Sequence, residues 1–108
     1  MVLKYGIEIS NEAVIKNIDR LTNLIFKLLP SREEDNEWII PLQNLIVEVA
    51  GMKNLLNDET ILFTLLCKLE SLLTLTGEDD FYLFRKVIFE CLSLLNSLKT
   101  KIRDGEYN

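Results

Sequence analysis

The chain has 108 residues, 48% of them hydrophobic and 27% charged, with four Gly and two Pro, a composition that excludes a disordered or collagen-like chain and fits one domain spanning 1–108. Twelve Lys and Arg stand against 17 Asp and Glu, a net charge of −5 that opposes direct binding to nucleic-acid phosphates. Histidine is absent, which excludes His-based triads, general bases and zinc sites.

Residues 1–10 alternate Leu3, Tyr5, Ile7 and Ile9 with Lys4, Gly6 and Glu8, a period of two that predicts a short extended arm, laid along the domain or paired with the edge of another chain. They lack the basic-then-apolar layout of a secretory signal, and no apolar run reaches the roughly 18 residues of a membrane span. A cytoplasmic protein with no membrane partner is expected.

The first helix is predicted over 11–29, with Ser10 or Asn11 as N-cap and Pro30 as its stop. Val14, Ile18, Leu21, Ile25 and Leu28 step by 4, 3, 4, 3 along one face, while Lys16, Asp19, Arg20, Asn23 and Lys27 fall opposite. Ser31-Arg32-Glu33-Glu34 then matches a capping box, but a helix opened there would carry Pro41 in its interior. The second helix is therefore placed at 37–55, on the seam Trp38, Leu42, Leu45, Val49, Met52 and Leu56, with Gly51 as a point where it could end early. Asn57, Asp58 and Glu59 supply caps and acidic charge for a third helix over 59–75, along which Leu62, Leu66, Leu69 and Leu73 keep the same spacing, Leu65, Leu69 and Leu72 are expected in the core, and Thr76-Gly77 is the stop. Glu78, Asp79 and Asp80 open the fourth helix, 80–103, whose seam is Phe84, Ile88, Cys91, Leu95, Leu98 and Ile102. Lys99, Lys101 and Arg103 suit its C-terminal dipole, and 104–108 forms a frayed tail. The sum is an all-α fold, an antiparallel up-down four-helix bundle with a short extended N-terminal segment.

Chemistry-bearing motifs are few. Glu33, Glu34, Asp35 and Glu37 lack the spacing of a calcium loop and read as a solvated connection. Gly6, Gly51, Gly77 and Gly105 are isolated, so no phosphate loop occurs. Cys67 and Cys91 form no CxxC and read as packing residues in a reducing compartment. No cofactor, metal or catalytic residue is expected.

The informative signal is apolar residues off the seams. At about 100° per residue, Tyr82 and Phe89 lie about 160° and 140° from the core line of the fourth helix, with Arg85 between them. Phe63, Ile40 and Val47 are similarly displaced on their helices. Leaving these wet forgoes roughly 1.5 to 3 kcal/mol for each large side chain, so they are expected to be covered by something. The sequence thus predicts a small acidic, non-enzymatic protein-interaction module, an adaptor or inhibitor. Its contact surface is Tyr82, Arg85 and Phe89 with Phe63, and self-association into a homodimer is a further use of that surface. Segment 31–60, with two basic and seven acidic residues, steers it toward a partner with a basic surface. Two alternatives follow. One is a helical accessory subunit of a nucleic-acid-processing complex whose larger partner makes the phosphate contacts. The other is a carboxylate- and metal-dependent enzyme or sensor.

Overall fold

Ser10 starts the first helix by accepting the Ala13 N–H on its hydroxyl at 3.1 Å, and in the computed structural model, which describes residues 8–56 and 60–105, α1 runs Asn11–Phe26. Residues 1–7 of the expected extended arm lie outside the described residues; of the remainder, Ile9 is half-buried against the core. Pro30 does not stop the helix as expected but bends it. Lacking an N–H for the Phe26 carbonyl and crowding it with its ring, Pro30 interrupts the ladder at Lys27, and the chain resumes as α2, Leu28–Glu33, with Pro30 in its first turn.

Ser31–Glu34 closes that helix rather than opening the next, so the capping box does not form. The Asp35 N–H donates to the Arg32 carbonyl at 3.2 Å and the Asn36 N–H to the Ser31 carbonyl at 2.8 Å, the paired bonds of a Schellman turn. Asp35 supplies the left-handed residue, at φ 59°, a position usually held by glycine. Glu37 then begins α3, Ile39–Leu55: its Oε1 accepts the Ile39 and Ile40 N–H groups at 2.8 and 3.0 Å, and Pro41 falls in the first turn, where no donor is missed. Gly51 does not shorten α3.

The cap candidates Asn57, Asp58 and Glu59 lie outside the described residues. α4 runs Thr60–Leu72 rather than to 75; the N–H groups of Leu73, Thr74 and Leu75 bond three residues back, which tightens the end into a turn. Its buried residues are Leu62, Leu65, Leu69 and Leu72, so Leu66 and Leu73 of the expected spacing are only half-buried. A 3₁₀ turn, Glu78–Asp80, leads into α5, Phe81–Arg103, which buries its whole expected seam together with Val87. Gly105, at φ 75°, takes the left-handed turn after α5; residues 106–108 of the expected frayed tail lie outside the described residues.

The four long helices alternate in direction. Asn11 bonds the Ile102 carbonyl and Asp19 pairs with Lys99, while Asn17 reaches Met52 and Arg20 pairs with Glu48, so along each neighbouring helix the numbering runs backward. α5 packs on α1 and α4, α4 on α3, and the looser α1–α3 seam closes the bundle. This is the all-α four-helix bundle expected. Ile18, Leu21, Leu42, Leu65, Leu69, Phe84, Leu95 and Leu98 are fully buried in its centre, each contributing about 1.5 to 3 kcal/mol over exposure. The ion pairs Arg20–Glu48, Lys68–Glu90 and Lys99–Asp19 are partly solvated and each contributes at most about 1 kcal/mol.

One polar residue ties the elements together. The Arg32 guanidinium lies 4.8 Å from the Phe84 ring centroid, 5.4 Å from Phe81 and 5.6 Å from Trp38. Trp38 itself meets Phe84 edge to face at 5.1 Å. From that aromatic seat Arg32 donates to the Leu75 carbonyl at 2.7 Å and the Gly77 carbonyl at 2.7 Å, and so joins the α2–α3 connection to the α4–α5 connection.

Two substitutions test this account by chemical denaturation. Arg32→Ala should cost roughly 2 to 4 kcal/mol, and Arg32→Lys should recover less than half of it, because an ammonium cannot lie flat on the rings and serve both carbonyls. A lysine variant of native stability would show that the planar fork is dispensable. Gly51→Ala should stabilise the fold by roughly 0.5 to 1 kcal/mol, since a Cβ there meets nothing within 4 Å and removes backbone freedom from an exposed mid-helix site.

Candidate functional site

Because α5 turns its seam inward, its opposite side carries side chains that the core cannot use. Tyr82 is 78% exposed and Phe89 41% exposed, both on the outer face as their angular positions require. The Arg85 guanidinium stacks over the Phe89 ring at 5.0 Å, which fixes the cation on the face between the two aromatics. Toward α4, the face falls into an open groove of about 570 Å³ lined by Tyr82, Arg85, Lys86, Phe89 and Glu90, with Ser93, Leu94 and Ser97 further along and Lys68 from α4. Glu90 is engaged by Lys68 at 3.4 Å, so Arg85 and Lys86 remain the cations with no carboxylate in ion-pair range among the described residues.

Phe63 does not belong to this site. The Lys68–Glu90 pair sets the antiparallel register and places Phe63 level with Leu95, about 20 Å along the axis from Tyr82. Its ring, 55% exposed, lies under the Lys53 ammonium at 5.6 Å, on the α3 side of α4. Ile40 and Val47 are exposed on α3 as their angles predict.

Charge is sorted along the bundle. By holding the two connections together, Arg32 gathers Glu33, Glu34, Asp35 and Glu37 beside Glu78, Asp79 and Asp80 at one end. Asp80 turns its carboxylate back onto the Gly77 N–H at 3.0 Å, and Glu37 caps α3; the other five face solvent. Among the described residues no group of three or more Cys, Asp or Glu side chains is arranged to hold a metal ion. No helix is long and apolar enough to cross a membrane among the described residues.

Sequence reasoning passes over Lys86 altogether and takes Asp79 only as a helix-capping acid. Their shared angle with Tyr82 is the signal that would have found them. Cys67 is also corrected. It is exposed, not packed, because it lies about 200° from Leu65 on a helix whose buried line runs through Leu62, Leu65 and Leu69. Cys91 is buried, and burial pushes its thiol up to about 12, with nearby Glu90 reinforcing the shift and Lys68 opposing it. Comparison of the chain with protein-family models, with curated proteins and with solved structures finds no match.

The two thiols should separate cleanly. A thiol reagent at neutral pH should titrate Cys67 at once and Cys91 only on unfolding; two fast thiols in the native protein would contradict the burial of Cys91. Its raised value means that the folded state holds the proton more tightly than the unfolded chain. The resulting stability is complete below the ordinary thiol value of 9.0 and is lost as pH climbs toward about 12.

Proposed function

We propose that the chain is a non-catalytic protein-interaction module, an adaptor or inhibitor, that meets its partner through the outer face of α5 at Tyr82, Arg85 and Phe89. The observation that carries this reading is the exposure of two aromatics around a stacked arginine, directly opposite a fully buried seam on the same helix. Aromatic and arginine side chains contribute disproportionately to protein interfaces, and both of these rings lie outside the monomer's core. The acidic end beside the stripe favours a partner with basic surface there, while Arg85 and Lys86 favour carboxylates at the groove itself. The two charges together fix how a partner is oriented, and they speed its encounter.

Affinity capture from the native cell is the test. A stoichiometric protein partner held by the native chain should be lost with Tyr82→Ala/Phe89→Ala, each substitution weakening binding by roughly 1 to 4 kcal/mol. Stability of the double variant should stay within about 0.5 kcal/mol of native, as befits exposed positions. Undiminished capture, or a strongly destabilised double variant, would remove this face from the interface.

A further inference from the structure

Resting on the reading of this face as a contact surface, we infer that its occupant is the same face of a second copy, run antiparallel about a two-fold axis at Tyr82. The stripe carries its charges in an order that makes it complementary to itself. With about 120° per residue through the 3₁₀ turn and about 100° along α5, Asp79, Lys86 and Phe89 fall within about 40° of Tyr82, and Arg85 within about 60°. Along the axis, Glu78 and Asp79 lie about 5 to 7 Å before Tyr82, and Arg85 and Lys86 about 5 to 6 Å beyond it. Acids and bases are therefore spaced almost equally on the two sides of Tyr82, the most exposed aromatic among the described residues.

Rotating one copy by a half turn about Tyr82 sets Arg85 and Lys86 against Asp79 of the other, with Glu78 about 100° around the turn at the margin of the stripe, and the symmetry makes the same match a second time. A parallel pairing would set acid on acid and base on base. The net charge of −5 opposes casual association, so a second copy is held only where local unlike charges outweigh that repulsion, and the antiparallel orientation supplies this. Glu78, Asp79, Tyr82, Arg85 and Lys86 are all exposed, and neither Arg85 nor Lys86 has an ion pair within the chain among the described residues. Stacking on Phe89 already restrains Arg85, which lowers the entropy lost when it meets a carboxylate. One helix face laid on another falls below the roughly 1,200 Å² of stable interfaces, so the dimer is weak, half-formed at protein concentrations on the order of 100 µM.

Analytical ultracentrifugation with charge-reversed variants tests this directly. The native chain should dimerise with rising concentration and lose roughly tenfold in affinity between about 0.05 M and 0.5 M salt. Glu78→Lys/Asp79→Lys leaves the two sides of Tyr82 both basic and Arg85→Glu/Lys86→Glu leaves them both acidic, with the Lys68–Glu90 pair unchanged in each. Each variant alone should be monomeric where the native chain dimerises, and an equimolar mixture should form a heterodimer at least as tight as the native homodimer. Should a reversal impair folding by circular dichroism, Arg85→Gln/Lys86→Gln serves instead, with a dimer weakened roughly tenfold as the expected result. A native chain monomeric to about 1 mM, a mixture that fails to associate, or dimerisation that survives loss of Arg85 and Lys86 would overturn the inference. Capture of a different protein through Tyr82 and Phe89 by a monomeric chain would sink the second copy and leave the interaction-module reading standing. Loss of the dimer in the charge variants but not in Tyr82→Ala/Phe89→Ala would keep the charge pairing and remove the aromatics.

Discussion

The seat of Arg32 is the constraint on which the rest of the molecule depends. The half-buried Arg32 guanidinium lies among the rings of Trp38, Phe81 and Phe84 while its edge serves two backbone carbonyls, so its hydrogen bonds go to main-chain dipoles rather than to a carboxylate. Two regions of chain far apart in sequence must arrive together for this to work: the end of α2 with the start of α3, and the turn after α4 with the first turns of α5. None of the surface ion pairs joins as many elements. The seat also accounts for the location of the negative charge, because two acidic connections that would repel each other are held side by side by the one cation lodged between them.

From that end the surface chemistry follows. α5 leaves the acidic turn, buries one side to its last turn, and presents Tyr82, Arg85, Lys86 and Phe89 on the other. The helix thus has two separate sets of residues for two tasks, and changes to one set leave the other in place. Phe63 shows what the bundle does with an apolar residue outside both sets: Lys53 lies over its ring and the pair remains at the surface.

The fold was legible because the seams are. A run such as Phe84, Ile88, Cys91, Leu95, Leu98 and Ile102 has one angular solution on a helix, and the structure takes it. Where two solutions were open, as for α4 with leucines at 62, 65, 66, 69, 72 and 73, period alone could not choose, and packing against α3 and α5 settled on 62, 65, 69 and 72. Boundaries were less legible for a related reason. Pro30 reads as a stop in isolation and becomes a bend when a second turn of helix can form beyond it, and Ser31–Glu34 satisfies a capping pattern that the Schellman turn at Asp35 displaces. Exposure of Tyr82 and Phe89 followed from angle, whereas the separation of Phe63 required the register between α4 and α5. Arg32 was invisible because its partners, Leu75 and Gly77, are 43 and 45 residues away, and they offer only main-chain oxygens.

The sorting of charge has a physical corollary. Among the described residues most carboxylates without an ion pair cluster at one end of the bundle, which gives this part of the molecule a dipole as well as a negative charge and would turn it near a positively charged surface before contact. The end so presented would be that of Glu33, Glu34, Asp35, Glu78 and Asp79, opposite the end where Asn11 bonds Ile102.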